Sequence, residues 1–183
     1  YWRDTARPLS DFRDAHALVE TFDDVVEAYA DEIVDGSLDP VREALVARRE
    51  RVAPRERVEA ALLDARQALE SGRAALDVLH VDDDGFDAVG GGVKKVYRRG
   101  RKAMATALDD PTPENFHEWR KRAKYLWYHT RMLRPLWPEV MKAWRDEADR
   151  LGDLLGDDHD LAVLRQTLHD EPALGEVEGM PAY

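Results

Sequence analysis

Apolar residues in this chain recur at intervals of three and four, which predicts helix almost throughout. A short helix is expected from Val41 to Arg51, opened by Asp39-Pro40. A longer one starts at Pro54 and keeps Val58, Ala61, Leu62, Ala65, Ala68, Leu69, Ala75, Leu76 and Leu79 on one stripe until Asp82-Asp83-Asp84-Gly85 breaks it. Gly90-Gly91-Gly92 is a second break, or a thin spot at the start of the next helix. From Val93 to Leu108, Val96, Gly100, Ala103, Met104 and Ala107 share a face. Thr112 is placed to cap a helix beginning at Pro113 and running to about Leu136. Pro138 opens another, expected to end near Gly156, with a last helix from His159 to His169 and a loose tail after Pro172. There is no alternating apolar run and no Asn-Gly hairpin signal. The fold class is all-α, an antiparallel helical bundle.

The helix around residues 113–136 has two sharply different faces. At about 100° per residue, Phe116, Trp119, Ala123, Leu126, Thr130 and Leu133 gather on one side. His117, Arg120, Lys121, Lys124, Tyr128 and Arg131 gather on the other. The helix before it repeats the arrangement, with Lys94, Lys95, Arg98, Arg99, Arg101 and Lys102 opposite its apolar face. Trp119, Trp127, Trp137 and Trp144 are expected in the core.

Charge makes these strips stand out. The chain of 183 residues carries a net charge of −11. Residues 94–134 nevertheless hold 12 Lys and Arg against 4 Asp and Glu, a local +8 that leaves −19 on the remainder. Screening confines surface charge to about 8–10 Å, so a bound anion would respond to the local excess. The acidic remainder discourages indiscriminate binding to nucleic acid. Cysteine is absent, excluding disulfides and thiolate metal sites and favouring a reducing cytoplasm. No run of 18 apolar residues suggests a membrane span. Tyr1 falls inside a predicted helix, so the chain is expected to be a piece of a longer one.

Two segments repeat. Leu9, Asp11, Asp14 and Leu18 match Leu155, Asp157, Asp160 and Leu164 at a constant offset of 146. Residues 1–30 therefore read as the end of a first helical repeat, 41–170 as a second repeat, and 171–183 as the loose tail. Asp157-Asp158-His159-Asp160 offers metal-ligand chemistry, but its expected place between two helices favours capping, and no metal or other cofactor is assigned. The triple glycine lacks the Gly-Lys-Ser/Thr ending of a phosphate loop.

Four segments in order resemble the CHAD family, the conserved histidine α-helical domain. Tyr97-Arg98-Arg99-Gly100-Arg101 resembles its Tyr-x-x-Gly-Arg segment, and His117-Glu118-Trp119-Arg120-Lys121-Arg122-Ala123-Lys124 its His-x-x-Arg-Lys-x-x-Lys helix. Leu155-Gly156-Asp157-Asp158-His159-Asp160 resembles its Leu-Gly-x-x-Asn-Asp segment, and Leu9 to Asp14 the Arg-Asp close of the first repeat. Trp127 departs from the pattern, standing where the family has a further Arg. The resemblance implies two four-helix units with basic faces turned to one groove, here with the first repeat truncated. It also implies non-catalytic binding of inorganic polyphosphate in the cytoplasm, with granule targeting as one role. The expected contacts are Lys94, Arg98, Arg101, Lys102, His117, Arg120, Lys121, Lys124, Tyr128 and Arg131, with Arg3 and Arg7 as remnants of the opposite wall. Guanidinium forks and ammonium groups suit phosphate oxygens, and His117 to Arg131 spans about 21 Å of helix. The alternatives are an accessory domain of an enzyme processing triphosphate or polyphosphate, since relatives often accompany a CYTH-type tunnel domain, and a metal-binding helical domain. A pI of about 5.0 argues against nucleic acid as partner. No membrane partner is expected, and the oligomeric state is left open.

Overall fold

The computed structural model describes residues 2–76, 78, 80, 82 and 85–174, without the side chains of 2–6, 74, 75 and 173. The described chain forms six α-helices and no strand: α1 (Trp2–Ala28), α2 (Asp39–Val52), α3 (Arg55–Leu76), α4 (Asp87–Asp109), α5 (Pro113–Leu133) and α6 (Pro138–Asp170). It divides into two compact units, one of residues 1–79 and 163–183, the other of residues 80–162. The glycine triplet is absorbed into the beginning of α4. The two left-handed glycines, Gly36 (φ 73°) and Gly85 (φ 61°), lie just ahead of α2 and α4, where the chain turns into each helix.

In the first unit, α1 packs on α2 and α3. Leu18, Val19 and Phe22 of α1 meet Val41 and Leu45 of α2 and Leu164 from the end of α6. Leu45 is only 1% exposed and forms the centre of this core. The matched leucines of the repeat, Leu18 and Leu164, thus lie in one cluster. Arg42 reaches from α2 to grip both oxygens of Asp23 on α1 at 2.7 and 2.9 Å. Arg57 of α3 lies over the Phe12 ring of α1. The stretch after Pro172, expected to be loose, opens with a 3-10 turn at Pro172–Leu174 that buries Leu174 in the same core. Arg48 holds Glu171 at 2.8 Å beside it. Residues 175–183 lie outside the described residues.

The apolar stripe of α3 is wider than the face it buries. Its inward residues are small or β-branched (Val58, Ala61, Ala65, Ala68 and Gly72), while Leu62, Leu63, Leu69 and Leu76 are exposed. Small side chains let helix axes approach closely, so the bulky neighbours are left outside the contact.

In the second unit, α4 packs on α5. The expected inner faces hold: Ala107 of α4 is fully buried, and Ala123 and Thr130 are buried on α5. Thr130 satisfies its hydroxyl by donating to the Trp127 carbonyl oxygen at 2.7 Å. At Gly100 a Cβ would lie 3.6 Å from Arg122 Cβ, which marks a close approach of α4 to α5. Thr112 caps α5 as expected, its hydroxyl accepting from the Asn115 amide at 3.3 Å.

Two expectations are corrected. No break occurs at Gly156: α6 runs unbroken from Pro138 to Asp170, because one glycine costs a helix only about 1 kcal/mol against alanine. The Asp157–Asp160 cluster is therefore helix interior and caps nothing. The tryptophans are not core either. Trp119 and Trp127 are half-buried, while Trp137 and Trp144 are 63% and 50% exposed. The residues excluding water are mostly alanine and leucine, and the large rings lie at the edges.

Leu45→Ala should destabilise the protein by about 2–5 kcal/mol, since it empties a site with no exposure. Leu63→Ala, at 55% exposure, should cost less than about 1 kcal/mol. Urea denaturation of the two variants checks the ranking, and equal losses would contradict this core.

Candidate functional site

The expected site residues fall into distinct environments. On α4, Lys94, Arg98, Arg101 and Lys102 all stand exposed, as does Lys95. On α5, Lys121, Lys124, Tyr128 and Arg131 are exposed, whereas His117 and Arg120 are half-buried. These residues belong to one unit. Arg7 is exposed on α1 in the other unit, and the Arg3 side chain lies outside the described residues.

Helix α5 presents its polar side in two parts. Lys121, Lys124, Tyr128 and Arg131 form the open part. Arg131 lies over the Trp127 ring at 4.8 Å, and Tyr128 meets that ring edge-on. Trp127 thus supports two candidate contacts in the place where the motif would have had another cation. Lys121 is held by Glu118 at 2.6 Å, and Glu118 also accepts from Arg122. These two cations, Lys121 first, hold the Glu118 carboxyl below its usual range.

The other part faces α6. The His117 ring lies against the His159 ring, centroids 4.4 Å apart and tilted by 40°. One turn further along α5, Arg120 lies against Gly156, where a Cβ would stand 3.7 Å from its Nε and Nη2. Arg120 Nε and His117 Nδ1 are buried and have no hydrogen-bond partner among the described residues. Nearby, Tyr97 of α4 stacks on Trp144 of α6 with ring centroids 6.4 Å apart. The surroundings push His117 down from its ordinary pKa: burial first, then His159, Lys121 and Arg120, with Glu118 opposing. His117 therefore holds a proton less firmly than a free imidazole.

Three residues outside the expected contacts also border these surfaces. His159 had been placed in a capping cluster, and nothing local says that it meets His117. Arg99 and Arg122 line an open groove of about 390 Å³ with Lys102, Thr106, Asn115 and Glu118. Their helical spacing puts them on the flank of the α4–α5 pair away from the His117 face. Among the described residues no group of three or more His, Asp or Glu is placed to hold a metal ion. No described helix is long and apolar enough to cross a membrane.

The order of the motifs, now placed on α4, α5 and α6, agrees with a family comparison in which residues 2–169 match the CHAD domain. The chain belongs to the CHAD domain family. No curated protein and no solved structure matches it. In this CHAD domain the histidine helix of the motif is α5, and its histidine faces a second imidazole.

The depressed His117 pKa has a definite consequence for stability. The unfolded chain takes up this proton before the folded one does, so stability falls as pH drops through about 6.5. Glu118, and Asp146 held by Lys142 and Arg145, act lower: their contributions are fully present above their ordinary values of 4.5 and 3.8 and are lost as pH falls towards their depressed folded values. Melting temperature should therefore fall between pH 7 and pH 5, and His117→Gln should flatten that segment. An unchanged profile in the variant would contradict this environment for the ring. Gly156→Leu should displace Arg120 and alter the α5–α6 contact, whereas Gly156→Ala should fold normally, because its Cβ makes only an ordinary contact. Near-ultraviolet circular dichroism, which reads the tryptophans and tyrosines of this unit, separates the two variants.

Proposed function

We propose that this CHAD domain is a non-catalytic module that binds inorganic polyphosphate through the exposed cations of α4 and α5. The observation carrying the proposal is the placement of Lys94, Arg98, Arg101, Lys102, Lys121, Lys124 and Arg131. All seven are exposed on two helices that pack together, in a protein of net charge −11. A linear polyanion suits them because helical side chains one turn apart repeat about every 5.4 Å and their phosphate contacts do not depend on base identity. Tyr128 and Arg120 supply further donors, while Arg3 and Arg7 are candidate contacts from α1. A role at polyphosphate granules in the cytoplasm fits such a module.

Catalysis is assigned to none of these residues. Phosphate release by the purified chain, abolished by a chelator, would overturn that assignment. The competing ligand is single-stranded nucleic acid, which shares the phosphate charge and adds bases that need stacking platforms.

Lys121→Ala with Lys124→Ala should weaken binding of long-chain polyphosphate about tenfold or more, with helicity kept because alanine is a strong helix former. Wild-type affinity should fall steeply and log-linearly with salt. Titration calorimetry at several salt concentrations checks both. Unchanged affinity in the double variant, or tighter binding to single-stranded RNA or DNA in direct competition, would refute the proposal.

A further inference from the structure

The contact between α5 and α6 brings two imidazoles together beside cations of α5. His117 and Arg120 lie one turn apart on α5, and His159 and Gly156 about one turn apart on α6, so the pairs His117–His159 and Arg120–Gly156 meet in antiparallel order. The groups acting on His117 are His159 from α6 and Arg120, Lys121 and Glu118 from its own helix. Asp158 and Asp160 adjoin His159 along α6. Glu118, the carboxylate among those acting on His117, is already taken by Lys121 and Arg122.

A proton on His117 therefore meets the second ring and the charges of Arg120 and Lys121. Two rings in contact titrate as a pair, and the second proton is resisted by the first. A phosphate chain alongside Arg120 and Lys121 changes the sign of the local field. Protonation then adds both a charge and a donor, because a neutral imidazole has one N–H and an imidazolium two.

We infer that His117, with the His159 ring against it, forms a proton-loaded phosphate subsite, in which polyphosphate binding takes up a proton at the imidazole pair and tightens as pH falls. This rests on the polyphosphate proposal and adds to it a binding residue, His159, and a pH dependence. The mechanism needs no metal: hydronium or the buffer acid gives up a proton and a ring nitrogen gains an N–H bond, for which His117 Nδ1, buried and without a hydrogen-bond partner among the described residues, is one acceptor.

The test measures affinity for long-chain polyphosphate from pH 8 to pH 5.5 at constant ionic strength, with calorimetry in two buffers of different ionisation enthalpy. Wild type should take up about one proton near pH 7 and gain affinity by up to about tenfold per pH unit through that range. His159→Asn, which keeps a polar side chain but cannot titrate, and His117→Gln should each reduce the uptake and flatten the slope. Imidazole NMR titration of the wild type supplies a readout that needs no variant: the His117 and His159 midpoints should rise when polyphosphate is added. Binding without proton uptake, with the same slope in both variants, or with unmoved midpoints overturns the subsite and leaves the polyphosphate proposal standing. Absence of binding at every pH overturns both.

Discussion

Helix α5 has one circumference and two neighbours in its unit, and the rest of the site depends on how that circumference is divided. Ala123 and Thr130 are its buried residues, and they fix its rotation because a helix cannot turn without exposing them. Once the rotation is set, the 3.6-residue period decides everything else on the surface. Lys121, Lys124, Tyr128 and Arg131 point to solvent, where a lysine or arginine keeps its charge at no desolvation cost. His117 and Arg120, on the adjoining strip, are carried against α6. In the proposed function the open cations are the ones that attract the polyanion. The partly buried pair is where protein chemistry can respond to one.

The acids of this chain have a structural role as well as a solubilising one. Glu118 holds Lys121 and Arg122 on the same helix, so the strip is not a row of unopposed cations. Pairs near the surface on one helix contribute little to stability, of the order of 0–1 kcal/mol. Under the proposed function, pairs this weak would exchange readily for phosphate oxygens. Asp23 and Glu171 do different work in the other unit, where they tie Arg42 and Arg48 beside the Leu45 core.

Most of the fold was legible in periodicity, and the errors have a common cause. Helix positions, the Thr112 cap and the inner faces of α4 and α5 are local properties, set by spacing and by backbone chemistry within a few residues. The misplaced break at Gly156 and the tryptophans assigned to the core are not. A glycine ends a helix or allows close approach according to what lies opposite it, and here Arg120 lies opposite. A tryptophan is buried only where a neighbouring surface has room for it. On α3 the same limit appears in reverse, since Ala65, Ala68 and Gly72 go inward while Leu62 and Leu69 stay outside.

By itself the sequence determined the helices, the two cationic strips and the motifs by which the chain is placed in its family, because each depends on residues close together along one helix. The tertiary structure alone decided that the cations of α5 fall into an open group and a half-buried one. It also brought His159 from 42 positions away in the sequence to within 4.4 Å of His117. No local pattern carries that information. Which imidazole meets which is fixed by the rotation of two helices about their own axes, and that rotation is set by the packing of buried side chains elsewhere on the same helices.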